Sequence, residues 1–262
     1  AEEAAILAAD KAGCTVLHYA AMQPTSCFVK VLLSTSHSVY TKLLVAQDRG
    51  GKTGMHYAAE RGSASSIELM IACLQQSRNT EAVSSASALI QTDRAGRTPL
   101  HFSAQRGKKD ESVVLACLSD AAGVTSTTMA DRSGKTPLHL LAEHSTASCV
   151  QTCLAAMAAH KDKLKAVWTA VDKKQRTPLH YAARNSDSRV MSAIAAHCQN
   201  SMYGCTTATP DASNVLARLL CKADVKGQLP VHHACRFSSA GGVIACLQAT
   251  GMDGNGTNEG GD

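Results

Sequence analysis

Residues 93–104 read DRAGRTPLHFSA, and residues 131–142 read DRSGKTPLHLLA. In each stretch Asp and Gly have the chemistry of a tight turn, because Asp bonds the local backbone and Gly accepts a positive φ. Thr then stands at a helix N-cap, and Pro lies in the first helical turn, where a missing N–H costs nothing. A turn followed by a short helix therefore decides how this part of the chain folds.

The same pattern occurs in four further places. It reads DKAGCTVLHYAA from residue 10, DRGGKTGMHYAA from 48, DKKQRTPLHYAA from 172 and DVKGQLPVHHAC from 224. The six starting Asp residues are spaced 38, 45, 38, 41 and 52 residues apart. A second apolar stretch follows each copy and predicts a second helix. The chain is thus predicted to hold six repeats, starting near residues 10, 48, 93, 131, 172 and 224, each with a turn and a helix pair.

The pattern Asp-x-x-Gly-x-Thr-Pro-Leu-His-x-Ala-Ala resembles the ankyrin repeat. The resemblance implies an all-α fold, an ankyrin-repeat solenoid of stacked helix-turn-helix units with projecting β-hairpin-like turns. It implies one repeat domain over residues 1–250, and the Gly-rich residues 251–262 are predicted to be a disordered tail. Gly54, Gln175 and Leu229 depart from the pattern, replacing its Pro, Gly and Thr. Because a lost N-cap costs about 1 kcal/mol, we expect the sixth repeat to be the least stable.

The repeat spacings exceed the roughly 33 residues that are usual for such repeats. The extra residues follow each second helix, and they predict short added helices at 40–47, 84–91, 161–171 and 212–220. The largest insertion spans about residues 200–223 and contains Cys205, the best candidate for an exposed reactive thiol. This insertion either decorates the fold or forms a second contact surface.

Composition narrows the class of protein. The chain has 262 residues and eleven Cys, an odd number with no Cys-x-x-Cys pair, which favours free thiols and an intracellular, cytoplasmic location with the nucleus left open. No apolar run approaches 18 residues, so we expect no membrane insertion. The net charge of +5 is mild, so only the distribution of the charge is informative.

The chain has eleven His, and one occupies the same position in each repeat. Single His residues one repeat apart cannot converge on one ion, so we predict that each bonds a neighbouring turn and ties adjacent repeats together. No zinc spacing, phosphate loop or nucleophile elbow is present. We therefore expect no metal, no cofactor, no catalytic residue and no enzymatic activity. The six His residues are His18, His56, His101, His139, His180 and His232.

Basic residues recur at two positions of the turns and at the ends of the first helices. They either solvate the turns, where each has an Asp nearby, or form a row that faces an acidic partner beside a concave groove. In the second interpretation, the partner-binding residues are Arg49, Lys52, Arg61, Arg94, Arg97, Arg106, Arg132, Lys135, Lys173, Lys174, Arg176 and Arg184.

An aromatic residue follows the motif His in four repeats, at Tyr19, Tyr57, Phe102 and Tyr181. We predict that these rings pack between neighbouring first helices. Partial exposure as aromatic anchors for a partner is the alternative.

The resemblance implies a protein-protein interaction module, a scaffold or adaptor that binds a protein or peptide. We expect an acidic partner and a monomeric state. The alternative is a regulatory or substrate-docking segment of a larger enzyme or membrane channel, suggested by residues 1–10, which resemble the end of a preceding unit. A third hypothesis is binding to nucleic acid or anionic lipid, but few aromatic residues and a pI near 8.6 argue against nucleic acid.

Overall fold

The computed structural model describes residues 2–76, 85–158, 160–202, 215–237 and 240–249. The chain divides into two compact units, residues 1–137 and 138–262. Cys205, most of the insertion around it and the predicted tail lie outside the described residues. Helices are numbered in chain order.

The first unit contains a leading helix and then three repeats with three helices each, among the residues that the structure describes. The helices are α1 (Glu2–Leu7), α2 (Val16–Ala21), α3 (Cys27–Leu33), α4 (His37–Val45), α5 (Gly54–Arg61), α6 (Ala64–Gln76), α7 (Ser85–Ile90), α8 (Pro99–Arg106), α9 (Glu111–Leu118) and α10 (Ala121–Ser126). The first helices α2, α5 and α8 pack in a row, and so do the second helices α3, α6 and α9. In the third position, α1 packs against α4, and α7 packs against α10.

The second unit contains the remaining three repeats. Its helices are α11 (Pro137–His144), which starts at the last residue of the first unit, α12 (Ala147–Met157), α13 (Lys161–Thr169), α14 (Pro178–Ala182), α15 (Arg189–Met202), α16 (Val215–Leu220), α17 (Pro230–Phe237) and α18 (Ala240–Ala249). The second helices α12, α15 and α18 pack in a row, and α14 packs against α17. The sixth repeat has two helices within the described residues.

These helices confirm the predicted all-α repeat fold, and no strand occurs in the described part of the chain. The added helices predicted from the long spacings correspond to α4, α7, α13 and α16. One further added helix, α10, was not predicted, because its sequence AAGVTS has small residues and no apolar periodicity. Its Gly123 lies so close to the preceding helix that an added Cβ would be 1.8 Å from the Cys117 carbonyl oxygen.

The motif His ties each repeat to the next, as the sequence predicts. In the second repeat, the backbone N–H of Thr53 donates to Nδ1 of His56 at 3.1 Å. Since Nδ1 accepts this bond, the ring proton lies on Nε2, which donates to the Arg97 carbonyl of the third repeat at 3.0 Å. Burial lowers the pKa of His56 to about 4, so the imidazole is neutral at pH 7. Equivalent bonds to the next repeat are made by His18, His101, His139 and His180.

The rings that follow the motif His also pack between repeats. Tyr57 meets the ring of His18 edge to face, with centroids 5.6 Å apart, and Phe102 meets His56 in the same way at 5.7 Å. Tyr181 repeats this contact with His139 in the second unit, at 5.5 Å. The predicted packing role is confirmed for these three rings, and such edge-to-face pairs stabilise beyond their buried area.

Small side chains fill the second-helix row. Cys117, Cys153 and Cys246 are buried and Cys73 is half-buried, which agrees with their predicted use as small core residues. Burial raises the pKa of the Cys117 thiol to about 12, so it stays protonated and apolar in character. Among the described residues every cysteine is a free thiol.

Candidate functional site

The turns that begin each repeat form projecting fingers. We define a finger as the five residues that start at the motif Asp: 10–14, 48–52, 93–97 and 131–135 in the first unit, and 172–176 and 224–228 in the second. In every finger, one oxygen of the Asp accepts the backbone N–H groups two and four residues later, at 2.7–3.0 Å. The Asp side chain therefore turns inward and holds the loop closed.

The second Asp oxygen is bound from the first helix of the same repeat. The Tyr57 hydroxyl donates to Asp48 Oδ2 at 2.6 Å, and the Tyr181 hydroxyl donates to Asp172 Oδ2 at 2.7 Å. Burial disfavours the charge on Asp48, but the Tyr57 hydroxyl and two backbone N–H groups outweigh burial and lower the pKa of Asp48. These carboxylates stay ionised at pH 7, and their charge is compensated inside the fold.

The third repeat satisfies its Asp in another way, because Phe102 lacks a hydroxyl. There Arg97 donates from both Nε and Nη2 to Asp93 Oδ2, at 3.0 and 2.8 Å. The Arg97 guanidinium also lies over the Phe102 ring, 4.3 Å from its centroid. Arg97 thus takes the structural place of the Tyr hydroxyl.

Neighbouring fingers are joined through their backbones. In the first unit, the N–H of Arg49 donates to the Ala12 carbonyl at 2.9 Å, and the N–H of Arg94 donates to the Gly50 carbonyl at 2.8 Å. Arg132 continues the series with a 2.8 Å bond to the Ala95 carbonyl. The spacing of these fingers is therefore fixed by hydrogen bonds.

Gly51 shows why a glycine stands in the finger. Its φ is +78°, and an added Cβ would lie 3.0 Å from the Arg94 nitrogen of the next finger. Both the left-handed conformation and the close approach require glycine here. Gln175 adopts a φ of 58° at the equivalent position of the fifth repeat, a strained conformation for a residue with a Cβ.

Five of the twelve predicted partner-binding residues are exposed at the tips of the fingers, and Arg61 is exposed at the end of α5. Within the part of the chain that the structure describes, none of these six residues makes an ion pair. The five tip residues are Arg49, Arg94, Arg132, Lys173 and Lys174.

The other predicted residues are half-buried, and five of them are paired within the chain. Lys52 pairs with Glu60 at 2.6 Å and Arg97 with Asp93, while Arg176 lies 3.4 Å from Asp224. Lys135 is also half-buried.

Two more paired residues lie at the ends of first helices. Arg106 pairs with Asp110 at 3.1 Å and donates to the Gly62 carbonyl at 2.8 Å, so it caps the end of α5 in the preceding repeat. Arg184 pairs with Glu143 at 3.3 Å. The acidic partners Glu60, Glu143 and Asp110 were not identified as such from the sequence, because each pair joins residues whose proximity depends on the packing of the repeats or on the local turn.

The finger tips of the first unit therefore carry a one-sided charge. Asp48, Asp93 and Asp131 point into the turns, whereas Arg49, Arg94 and Arg132 project outward on consecutive fingers. In the sequence the two signs alternate, but the fold separates them. We call Arg49, Arg94 and Arg132 the arginine row.

Two further site types were considered for the described residues. No group of three or more His, Cys, Asp or Glu side chains is arranged to hold a metal ion in those ranges. No helix there has both the length and the apolar character needed to cross a bilayer.

Comparison with known families identifies part of this chain directly. Residues 108–202 match the family model for ankyrin repeats in three copies. A search of curated proteins found no match. The matched segment runs from the end of the third repeat through the whole of the fourth and into the fifth, in phase with the pattern read from the sequence.

Proposed function

Because this chain belongs to the ankyrin repeat family, we propose that it is a protein-binding module whose arginine row contacts an acidic segment of its partner. Ankyrin repeats mediate protein-protein interactions, and repeat proteins present extended surfaces for this purpose. The proposal is for binding without catalysis, as a scaffold or adaptor. The same surface would serve a docking segment of a larger enzyme or channel, since that role differs only in what is attached.

One observation carries the acidic-partner proposal. Each finger of the first unit compensates its Asp charge internally and leaves the neighbouring arginine exposed. Nearby carboxylates would have favoured a merely solvating role for these arginines, but those carboxylates bond to backbone N–H groups and to first-helix side chains. Exposed, uncompensated cations attract carboxylates and accelerate association.

The backbone bonds between fingers favour binding further. A surface whose elements are already fixed loses little conformational entropy when a partner docks. The arginine side chains must still become ordered, so each contact is expected to contribute little by itself. Binding would then depend on several fingers acting together.

Location is a further part of the proposal. All described cysteines are free thiols, and several are exposed, among them Cys27 and Cys235. Exposed thiols persist in a reducing compartment. We propose that the module works in the cytoplasm.

The test measures binding of a fluorescent poly-glutamate peptide to the full chain. Reversing the arginine row with Arg49→Glu, Arg94→Glu and Arg132→Glu is expected to weaken binding about tenfold or more, since three exposed pairs at about 0.5 kcal/mol each are lost. The circular dichroism spectrum should not change, because these side chains make no internal ion pair.

The matched control carries the same change in net charge elsewhere. Lys30→Glu, Lys42→Glu and Lys165→Glu alter exposed residues on α3, α4 and α13. This variant should bind the peptide within about twofold of the native chain, because nonspecific charge effects are screened over about 10 Å. Equal losses in the two variants, or tighter binding of duplex DNA than of poly-glutamate, would contradict the proposal.

A further inference from the structure

Each internal junction between repeats is made from the same three contacts. A neutral imidazole donates to the carbonyl at the end of the next finger, as His18 does to Lys52. The second residue of the next finger donates its N–H to the third residue of the preceding finger, as Arg49 does to Ala12. The second helices pack side by side. One side of each repeat is thus a donor face and the other an acceptor face.

The first repeat leaves its acceptor face uncovered. The carbonyl of Cys14 is equivalent to that of Lys52, and the N–H of Lys11 is equivalent to that of Arg49. Neither has a partner from another repeat among the described residues. Tyr19 is 50% exposed, whereas Phe102, at the same position of the third repeat, is 4% exposed. Four apolar side chains are exposed by 41, 50, 59 and 67% on α2 and α3: Val16, Tyr19, Phe28 and Val31.

The sixth repeat leaves its donor face uncovered. His232 accepts the Leu229 N–H on Nδ1 at 2.9 Å, so its exposed Nε2 carries the proton, as in the internal junctions. The sequence IACL occurs on both α6 and α18. On α6, which packs against α9, Ile71 is 4% exposed, but Ile244 on α18 is 52% exposed. Leu74 and Leu247 differ in the same sense, at 1% and 40%.

The helices of the two ends are also complementary. Helix α1 occupies the third-helix position ahead of the first repeat, where it packs against α4 as α7 packs against α10. The sixth repeat has α17 and α18 but no third helix within the described residues. A sixth repeat placed ahead of α1 would gain the third helix that it lacks.

We propose that the donor face of the sixth repeat in one copy of this chain stacks on the acceptor face of the first repeat in a second copy. His232 Nε2 donates to the Cys14 carbonyl, and the Lys226 carbonyl accepts the Lys11 N–H. Ile244 and Leu247 cover the apolar side chains of α2 and α3. The interface joins two different surfaces, so it does not close on itself and copies add head to tail. This proposal replaces the monomer expected from the sequence, and it is independent of the acidic-partner proposal.

The test is the mass of the full chain as a function of concentration, measured by sedimentation velocity. We expect the average mass to rise by about twofold or more across the micromolar range, because a heterologous contact forms chains. Phe28→Glu and Ile244→Glu should each give a monomer at all concentrations, since each places a charge in one of the two faces. Val225→Glu, at an exposed finger position outside both faces, should assemble like the native chain.

A mixture of the two blocked variants distinguishes head-to-tail stacking from other forms of association. Phe28→Glu keeps an intact sixth repeat, and Ile244→Glu keeps an intact first repeat. An equimolar mixture should therefore stop at one heterodimer, although each variant alone is a monomer. A native chain that stays monomeric throughout the range would overturn the proposal. So would a mixture that fails to pair, or an Ile244→Glu variant that still dimerises, which would indicate pairing of two first repeats.

Discussion

The second and sixth repeats begin with the same turn and carry the same IACL tetrad, yet their side chains lie in opposite environments. His56 is fully buried and bonds the next repeat, whereas His232 is exposed. Ile71 is buried, and Ile244 is half exposed. The contribution of a residue in this chain is thus set by whether a neighbouring repeat covers it, as expected for stability that is summed over nearest-neighbour interfaces.

The largest expected difference between these repeats concerns the motif His. His56→Ala should destabilise the chain by about 3 kcal/mol, because it leaves the buried Thr53 N–H and Arg97 carbonyl without partners. His232→Ala removes only an exposed bond and should cost less than about 1 kcal/mol. Urea unfolding followed by circular dichroism measures both changes. Equal costs would show that the neighbouring repeat does not determine the role of the His.

The second prediction uses pH to sharpen the same comparison. The pKa of His56 is about 4 in the folded chain, while an unfolded His titrates near 6.5. Below pH 6.5 the unfolded chain binds a proton that the folded chain refuses, so stability falls with falling pH, by up to about 1.4 kcal/mol per pH unit. Above pH 7 this contribution is constant.

The prediction is read from the difference in unfolding free energy between the native chain and His56→Ala. That difference should shrink by about 1 to 2 kcal/mol between pH 7 and pH 5, because the variant has lost the group that titrates. The range lies above the titration of most carboxylates. A difference that stays constant over this range would show that His56 is not held in its neutral form.

The smallest expected effect compares two glycines with positive φ. Gly227→Ala should cost about 1 kcal/mol from the left-handed conformation alone, since an added Cβ there meets nothing within 4 Å. Gly51→Ala should cost about 1 kcal/mol more, because its Cβ would press on the Arg94 nitrogen of the next finger. Denaturant unfolding and hydrogen exchange at the Arg94 amide measure the difference. Indistinguishable costs would mean that the fingers can move apart freely.

The sequence predicted the parts of the fold that every repeat encodes locally. The Asp and Gly of the finger, the Thr at the helix start and the inter-repeat role of His all follow from residue chemistry within a twelve-residue pattern. Helix α10 escaped prediction because its small residues lack the periodicity that identifies a helix. Its Gly123 is explained only by the close approach of α9, which a sequence does not display.

The candidate site was predicted less completely. The tip residues Arg49, Arg94 and Arg132 were correctly placed at exposed turns, but Lys52 and Arg184 pair with acids on first helices. Arg97 could have been separated from the tip residues, because Phe102 stands where other repeats have Tyr and leaves an Asp oxygen unsatisfied. The role of Arg106 at the end of α5 depends on contact between repeats and has no local signal.

The exchange of Arg97 for a Tyr hydroxyl means that the surface charge of the finger row can be altered without adding a charged residue. Phe102→Tyr would supply a hydroxyl that competes for Asp93 Oδ2, and the guanidinium displaced from that oxygen would turn toward solvent. A single oxygen atom, added below the surface, would thereby raise the number of cations available to a partner. In this fold an aromatic side chain in the interior can set the valency of the outer edge.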